Sequence, residues 1–306
     1  MKGQVQRSTG SWYQIKNEAG ELLNARLKGK FKLKNNKITN PLAVGDYVDY
    51  ELEPESNNGI INEILPRENY IIRKSTHKTE HAHILASNVD QLILIATLAK
   101  PKTSLGFIDR FLITAEAYDI PATLVFNKSD ILNKNGFEIL DEIKDIYESI
   151  GYGFLSVSAK TGDGIEHFKT IIEGKTSLIA GHSGVGKSTI LNEISDAIKQ
   201  QTSEVSSFAN KGVHTTTFAE MFSVNENTNV IDSPGIKELG LVEMEAEEIG
   251  HYFPEFRELM NDCKFNNCLH THEPGCSVRE ALLNGEIAET RYNSYLSMLE
   301  NEDNRR

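Results

Sequence analysis

The sequence predicts a multidomain chain: an N-terminal OB-type β-barrel, a central α/β domain and a small C-terminal helical domain. Three observations predict it. Five short strand-like runs precede Pro66. A complete G-x-x-x-x-G-K-S run, Gly181-His182-Ser183-Gly184-Val185-Gly186-Lys187-Ser188, stands between an apolar run and a segment of helical spacing. All three cysteines, with two histidines among them, fall within fourteen residues near the end. At 306 residues, two or three domains are expected. The boundaries are expected at residues 1–73, 74–238 and 239–306.

In the first domain, Gln4–Arg7 and Ser11–Ile15 are strand-like runs, and Asn24–Leu33 alternates basic with small or apolar residues. Val44–Leu52 alternates clearly, and Gly59–Leu65 completes five strands. Five short strands suit a small OB-type barrel. Trp12, Tyr13 and Phe31 lie among charged strand residues; aromatics there either fill the barrel or offer faces for base stacking.

The glycine-rich run has a direct physical reading. Lys175–Ala180 is largely apolar with β-branched residues, as a buried strand is. Gly181, Gly184 and Gly186 let the backbone turn tightly, so that N–H groups along Gly181–Thr189 converge on phosphate oxygens. His182, Ser183 and Val185 are read as the spacers of this loop, lying against the nucleotide. Lys187 would reach the β- and γ-phosphates, and the Ser188 hydroxyl would ligate Mg²⁺. From Thr189 onward, Ile190, Leu191, Ile194 and Ile198 have helical spacing, so a helix N-terminus faces the bound anion.

Two motifs upstream specify the base. Asn127-Lys128-Ser129-Asp130 follows the strand-like run Ala122–Phe126 and fits N-K-x-D. The Asp130 carboxylate would accept from guanine N1 and N2, Asn127 would hold neighbouring loops, and the Lys128 stem would lie along the base. An acceptor pair of this kind rejects adenine, which leaves polar groups unpaired. Ser158-Ala159-Lys160, at the end of the run Gly153–Val157, is an S-A-K signature whose Ala159 N–H would meet guanine O6. Residues Asp163–Ile172 suit the helix that follows.

Two more elements come after the phosphate loop. Asp232-Ser233-Pro234-Gly235 ends the run Asn229–Ile231 and fits D-x-x-G: Asp232 would hold Mg²⁺ through water, and the Gly235 N–H would sense the γ-phosphate. Between them lies the chain's only threonine triplet, Thr215–Thr217. Thr217 opens a strand-like alternation, so Thr215 or Thr216 is the expected switch-I ligand of Mg²⁺. The order is therefore N-K-x-D, S-A-K, phosphate loop, threonines, D-x-x-G, whereas an ordinary small GTPase carries the first two last. The central domain reads as a circularly permuted P-loop GTPase. The segment after Gly235 then leads straight into the C-terminal domain, and nucleotide state can be transmitted there.

Cys263, Cys268 and Cys276 bracket His270 and His272. An acidic chain without an apolar signal core is expected in the cytoplasm, where thiols stay reduced. Three thiolates and one imidazole make a closed tetrahedral Zn²⁺ site of structural type, with either histidine as the fourth ligand. Helices are expected around it over Glu243–Leu259 and Val278–Leu299.

Asp plus Glu outnumber Lys plus Arg by 44 to 32, for a formal charge of −12. That total argues against wholesale coating of RNA. The first forty residues run the other way, with nine basic side chains against Glu18 and Glu21. This makes a basic N-terminal face on an acidic protein. Its longest apolar run, Leu92–Leu98, is far short of the roughly 20 residues that span a bilayer, so a membrane partner is not expected.

This motif order, with its flanking domains, closely resembles the circularly permuted GTPases of bacterial ribosome assembly, the RsgA family. The resemblance covers nearly the whole chain. It implies GTP hydrolysis to GDP and phosphate, stimulated by the small ribosomal subunit, during late maturation of that particle. It also implies an rRNA-contacting OB domain, and a Cys263–Cys268–His270–Cys276 zinc site that selects His270. A monomer is expected. Where Ras-type GTPases place a water-orienting Gln after D-x-x-G, this chain has Ile236, so intrinsic hydrolysis should be slow. His214, beside the threonines, is the candidate to position the attacking water. Two other readings stand beside this one: a GTPase with another partner, and a zinc-containing RNA-binding module whose nucleotide site only stabilises the fold.

Overall fold

The structure, a computed structural model, describes residues 1–28, 41–54, 56–74, 82–195, 219–232 and 244–300. Phe31, His214, Thr215, Thr216, Gly235 and Ile236 lie outside the described residues. The chain forms two compact units. One comprises Met1–Leu92, Ile165–Ala180 and Lys187–Leu239; the other comprises Ile93–Gly164, Gly181–Gly186 and Gly240–Arg306.

In chain order, strands β1 (Lys2–Ser8), β2 (Tyr13–Asn17), β3 (Leu22–Leu27), β4 (Tyr47–Leu52) and β5 (Gly59–Ile64) come first, then β6 (Tyr70–Lys74) and β7 (Ala82–Ser87). The central stretch holds β8 (Gln91–Ala96), helix α1 (Leu105–Ala117), β9 (Ala122–Phe126), α2 (Lys134–Ser149) and β10 (Gly153–Ser156). It continues through α3 (Ile165–Ile172), β11 (Thr176–Ala180), α4 (Lys187–Ile194), β12 (Glu220–Ser223) and β13 (Asn229–Asp232). Among the described residues the chain closes with short α-helices: α5 (Ala246–Ile249), α6 (Pro254–Arg257), α7 (Ser277–Leu283) and α8 (Glu289–Leu299).

In the first unit the five N-terminal strands close a barrel. β1 pairs antiparallel with β2 and β4, β2 with β3, and β4 with β5, while β3 and β5 run parallel. The barrel answers the ambiguity over its aromatics. Tyr13 is buried with Val5, Ile15, Val48, Tyr50 and Ile61, whereas Trp12, one residue earlier and so on the opposite face of the chain, is exposed. The fully buried Asp46 ties the barrel to the next hairpin, β6–β7. It accepts two 2.6 Å bonds from the Arg67 guanidinium, just before β6, and one from the Ser87 hydroxyl at the end of β7. The same unit carries a second sheet segment: β11 parallel to β13, β13 antiparallel to β12, and β12 antiparallel to β1.

In the second unit β10 runs parallel to β9, next to β8. β8 is buried along its whole length, as a strand covered on both faces must be. The C-terminal helices form their own core around Phe253, Phe256, Tyr292 and Tyr295, together with Ile113 of α1. They are shorter than the sequence suggests. Gly250 and Pro254 divide the first expected helix into α5, a 3₁₀ turn and α6, and Gly285, in the left-handed region at φ 77°, ends α7 before α8 begins. Buried Arg291 of α8 pins this group to α1 and α2. Its guanidinium donates to Asp109 at 2.8 Å and to both Glu255 oxygens at 2.7 and 3.1 Å, and it stacks on Phe253, while Tyr147 donates to the same Asp109 oxygen. Among the described residues no helix is long and apolar enough to cross a membrane.

Candidate functional site

Asn127, at the end of β9, organises the loops of the second unit. Its Nδ2 donates to the Val185 carbonyl at 2.8 Å, and its Oδ1 accepts from the Ala159 N–H at 3.1 Å. The N-K-x-D, S-A-K and phosphate-loop segments thus meet on one buried amide. Lys128, in the left-handed region at φ 67°, sends its ammonium to the Gly184 carbonyl at 2.6 Å and to the Lys100 carbonyl. The charged end of Lys128, whose partners no local pattern supplies, braces the phosphate loop.

Asp130 has defined neighbours. The Ser158 hydroxyl, fully buried, donates to its Oδ1 at 2.9 Å, and the Lys160 ammonium lies 3.8 Å from Oδ2. Ser158 is itself held by the Thr161 N–H at 3.2 Å. The carboxylate is therefore oriented from behind.

The phosphate loop requires glycine where it has glycine. Gly186 sits at φ 96°, and a Cβ there would stand 2.3 Å from Asn127 Nδ2; one on Gly181 would stand 2.4 Å from the Ile95 carbonyl oxygen. His182 packs against Phe107 of α1 with ring centroids 3.9 Å apart and planes tilted by 36°, which anchors the loop's first turn. Ser183 is exposed and Val185 buried. The chain then enters α4 at Lys187, followed by Ser188 and Thr189.

Lys187 and Asp232 belong to the first unit and attract each other. Burial pulls the Lys187 ammonium below the usual lysine range against the opposing pull of Asp232; burial raises the Asp232 carboxyl, and Lys187 lowers it. Asp232 Oδ1 is buried without a hydrogen-bond partner among the described residues. An orphaned carboxylate oxygen beside the phosphate-loop lysine fits a cation that the bare chain does not supply.

The second cluster is chemically distinct. Ligand atoms of Cys263, Cys268, His270 and Cys276 all lie within 4.8 Å of one another. His270 Nδ1 is 3.6 Å from Cys263 Sγ and 3.3 Å from Cys276 Sγ. A tetrahedral zinc with bonds of about 2.3 Å to sulfur and about 2.0 Å to nitrogen sets such S···N edges near about 3.5 Å, so the donor set fits. His272 lies outside it, exposed, with Nδ1 2.8 Å from Thr271 Oγ1. Burial pushes the Cys268 thiol up to about 12 and raises Cys276 as well, which disfavours the bare thiolates and which a bound cation would offset. Tyr292 and Tyr295 donate to the His270 and Leu269 carbonyls at 2.6 and 2.7 Å. Glu273 takes the Leu269, Thr271 and His272 N–H groups at 2.8, 2.9 and 3.0 Å, which fixes the loop between ligands.

Comparison with known proteins agrees with this geometry. Residues 64–242 match the family of the RsgA GTPase, and residues 2–61 match the RsgA N-terminal domain. A relative from Bacteroides thetaiotaomicron, named small ribosomal subunit biogenesis GTPase RsgA 2, is 52% identical over 99% of this chain and 97% of its own. The Cytophaga hutchinsonii small ribosomal subunit biogenesis GTPase RsgA is 51% identical, with both chains fully covered. Among solved structures, YjeQ from Thermotoga maritima superposes with a TM-score of 0.79 at 36% identity, covering 100% of this chain and 99% of that one. YloQ, described as a circularly permuted GTPase, gives 0.74 at 30% identity, covering 100% and 96%.

Proposed function

Because the chain belongs to the RsgA family of GTPases, we propose that it hydrolyses GTP to GDP and phosphate on the small ribosomal subunit, in late maturation of that particle. The observation that carries this reading is Asn127, which ties the base-reading loops to the phosphate loop. A nucleotide site braced in this way suits guanine recognition joined to phosphate chemistry.

In this reading Asp130, held by Ser158 and Lys160, accepts from guanine N1 and N2, and guanine O6 shares the Ala159 N–H with Asn127. The backbone N–H groups of Gly181–Thr189 surround the phosphates, and Lys187 neutralises the β- and γ-phosphates. Ser188, Asp232 and Thr215 or Thr216 hold Mg²⁺, which when bound offsets the charge that develops on the phosphates. The Gly235 N–H senses the γ-phosphate. With Ile236 in place of a polar side chain, His214 orients the attacking water on the particle.

Zinc held by Cys263, Cys268, His270 and Cys276 is structural, since four protein donors leave water no coordination position. The barrel of residues 1–73 contacts rRNA with its basic face, the GTPase domain spans 74–238, and the metal-bearing domain spans 239–306. The protein works as a cytoplasmic monomer.

Co-sedimentation with purified small and large ribosomal subunits, in a non-hydrolysable GTP analogue, tests the partner. Pelleting with small subunits alone supports the reading; equal pelleting with both, or with neither, refutes it. For the catalytic role, His214→Ala should keep nucleotide and subunit binding and lose about 10²-fold of the stimulated rate. Stimulation equal to that of the native protein would place the water-orienting group elsewhere.

A further inference from the structure

A row of charged side chains crosses the first unit from the barrel to the phosphate-loop helix. Arg7 on β1 stands directly opposite Glu220 on β12, and Glu220 stands directly opposite Asp232 on β13. Opposed residues of antiparallel strands present their side chains to one face of the sheet. Arg7 Nη1 lies 3.6 Å from Glu220 Oε1; the Glu220 side chain is 15% exposed and that of Arg7 38%. Lys187 closes the row at its other end, attracting Asp232.

The two carboxylates in the middle repel each other. Like charges set opposite across strands are destabilising unless each has a counter-charge. Here each has one, and the two cations differ in kind. Lys187 belongs to the phosphate loop. Arg7 belongs to the barrel and is partly open to solvent. Asp232 Oδ1, buried and without a hydrogen-bond partner among the described residues, lies between Lys187 and the Glu220–Arg7 pair in this row.

We propose that Glu220 is a positioning residue for the divalent cation of the nucleotide site, and that Arg7, reaching it from the barrel, sets how tightly that cation is held. The inference rests on the reading that Asp232 faces the cation. A polyanion on the barrel draws the Arg7 guanidinium outward, and Glu220 then adds its full negative charge beside Asp232. Occupancy of the barrel thus reaches the nucleotide site through charge, along a strand pairing already in place.

The test uses the full-length protein and a fluorescent GDP analogue, with binding followed as free Mg²⁺ is titrated. Removing one charge near a divalent ion in a partly screened site should move the Mg²⁺ midpoint about three- to tenfold. Glu220→Gln should raise the midpoint, Arg7→Gln should lower it, and Arg7→Lys should keep it near native. The double variant should match Glu220→Gln alone, because Arg7 acts only through Glu220. A native midpoint in Glu220→Gln, with a raised one in Asp232→Asn, overturns the inference and leaves the nucleotide reading intact. A native midpoint in Asp232→Asn overturns the reading it rests on. If Glu220→Gln fails to fold, the Arg7 variants decide alone: identical midpoints for Arg7→Gln and the native protein overturn the proposal.

Discussion

Asn127 Nδ2 donates to the Val185 carbonyl across 58 residues of sequence, at 2.8 Å, so the N-K-x-D loop and the glycine-rich loop share one side chain. Asn127→Ala leaves the Val185 carbonyl and the Ala159 N–H without their partner. The expected cost is about 2–4 kcal/mol of stability for two buried groups, with GTP affinity down at least tenfold. Thermal unfolding and nucleotide titration check both.

Asp130→Asn should weaken GTP binding by about 10²-fold and improve xanthosine triphosphate binding, because the amide restores complementarity to the altered base. Competitive binding of the two nucleotides measures the exchange. Unchanged preference for GTP would remove Asp130 from the base-reading role.

The freshly purified protein should carry one zinc per chain. Cys268→Ser should lose it and loosen the C-terminal helices, while guanine nucleotide affinity stays near native, since the nucleotide site uses none of these ligands. Metal analysis and proteolysis of residues 244–300 read the outcome; zinc retained at full occupancy in the variant would contradict the ligand set.

Glu273 gives the metal loop a pH dependence. Burial alone would raise its carboxyl, but the backbone N–H groups of Leu269, Glu273 itself, His272 and Thr271 outweigh burial and hold it at about 2, below the ordinary 4.5. A carboxyl lowered on folding stabilises above the unfolded value and loses that contribution as pH falls through the folded one. Glu273→Gln should therefore be less stable than the native protein at pH 7, by about 1 kcal/mol. The gap should close as pH drops from about 4.5 toward about 2. Melting temperatures of both proteins across that range test it.

Much of the site was legible because phosphate and guanine recognition use short contiguous motifs whose spacing is set by one strand, one turn and one helix. The barrel was legible through period-two alternation. What stayed hidden depends on residues far apart in sequence. Nothing local to Arg291 announces Asp109, 182 residues earlier, or Glu255, yet this network fixes the C-terminal helices to α1. The Ala159 N–H was equally opaque: S-A-K marks it for the base, and only the fold shows it donating to Asn127. The Asp46–Arg67 bracket joins residues that read singly as ordinary surface charges.

Steady-state GTP turnover by the native protein, alone and with purified small or large ribosomal subunits, with ATP in parallel, tests the proposed function most directly. Turnover alone should be slow, because Ile236 cannot orient water. Small subunits only should stimulate it, by about 10²-fold or more, and ATP should not turn over. Equal rates with and without small subunits, or ATP hydrolysed as readily as GTP, would contradict that function.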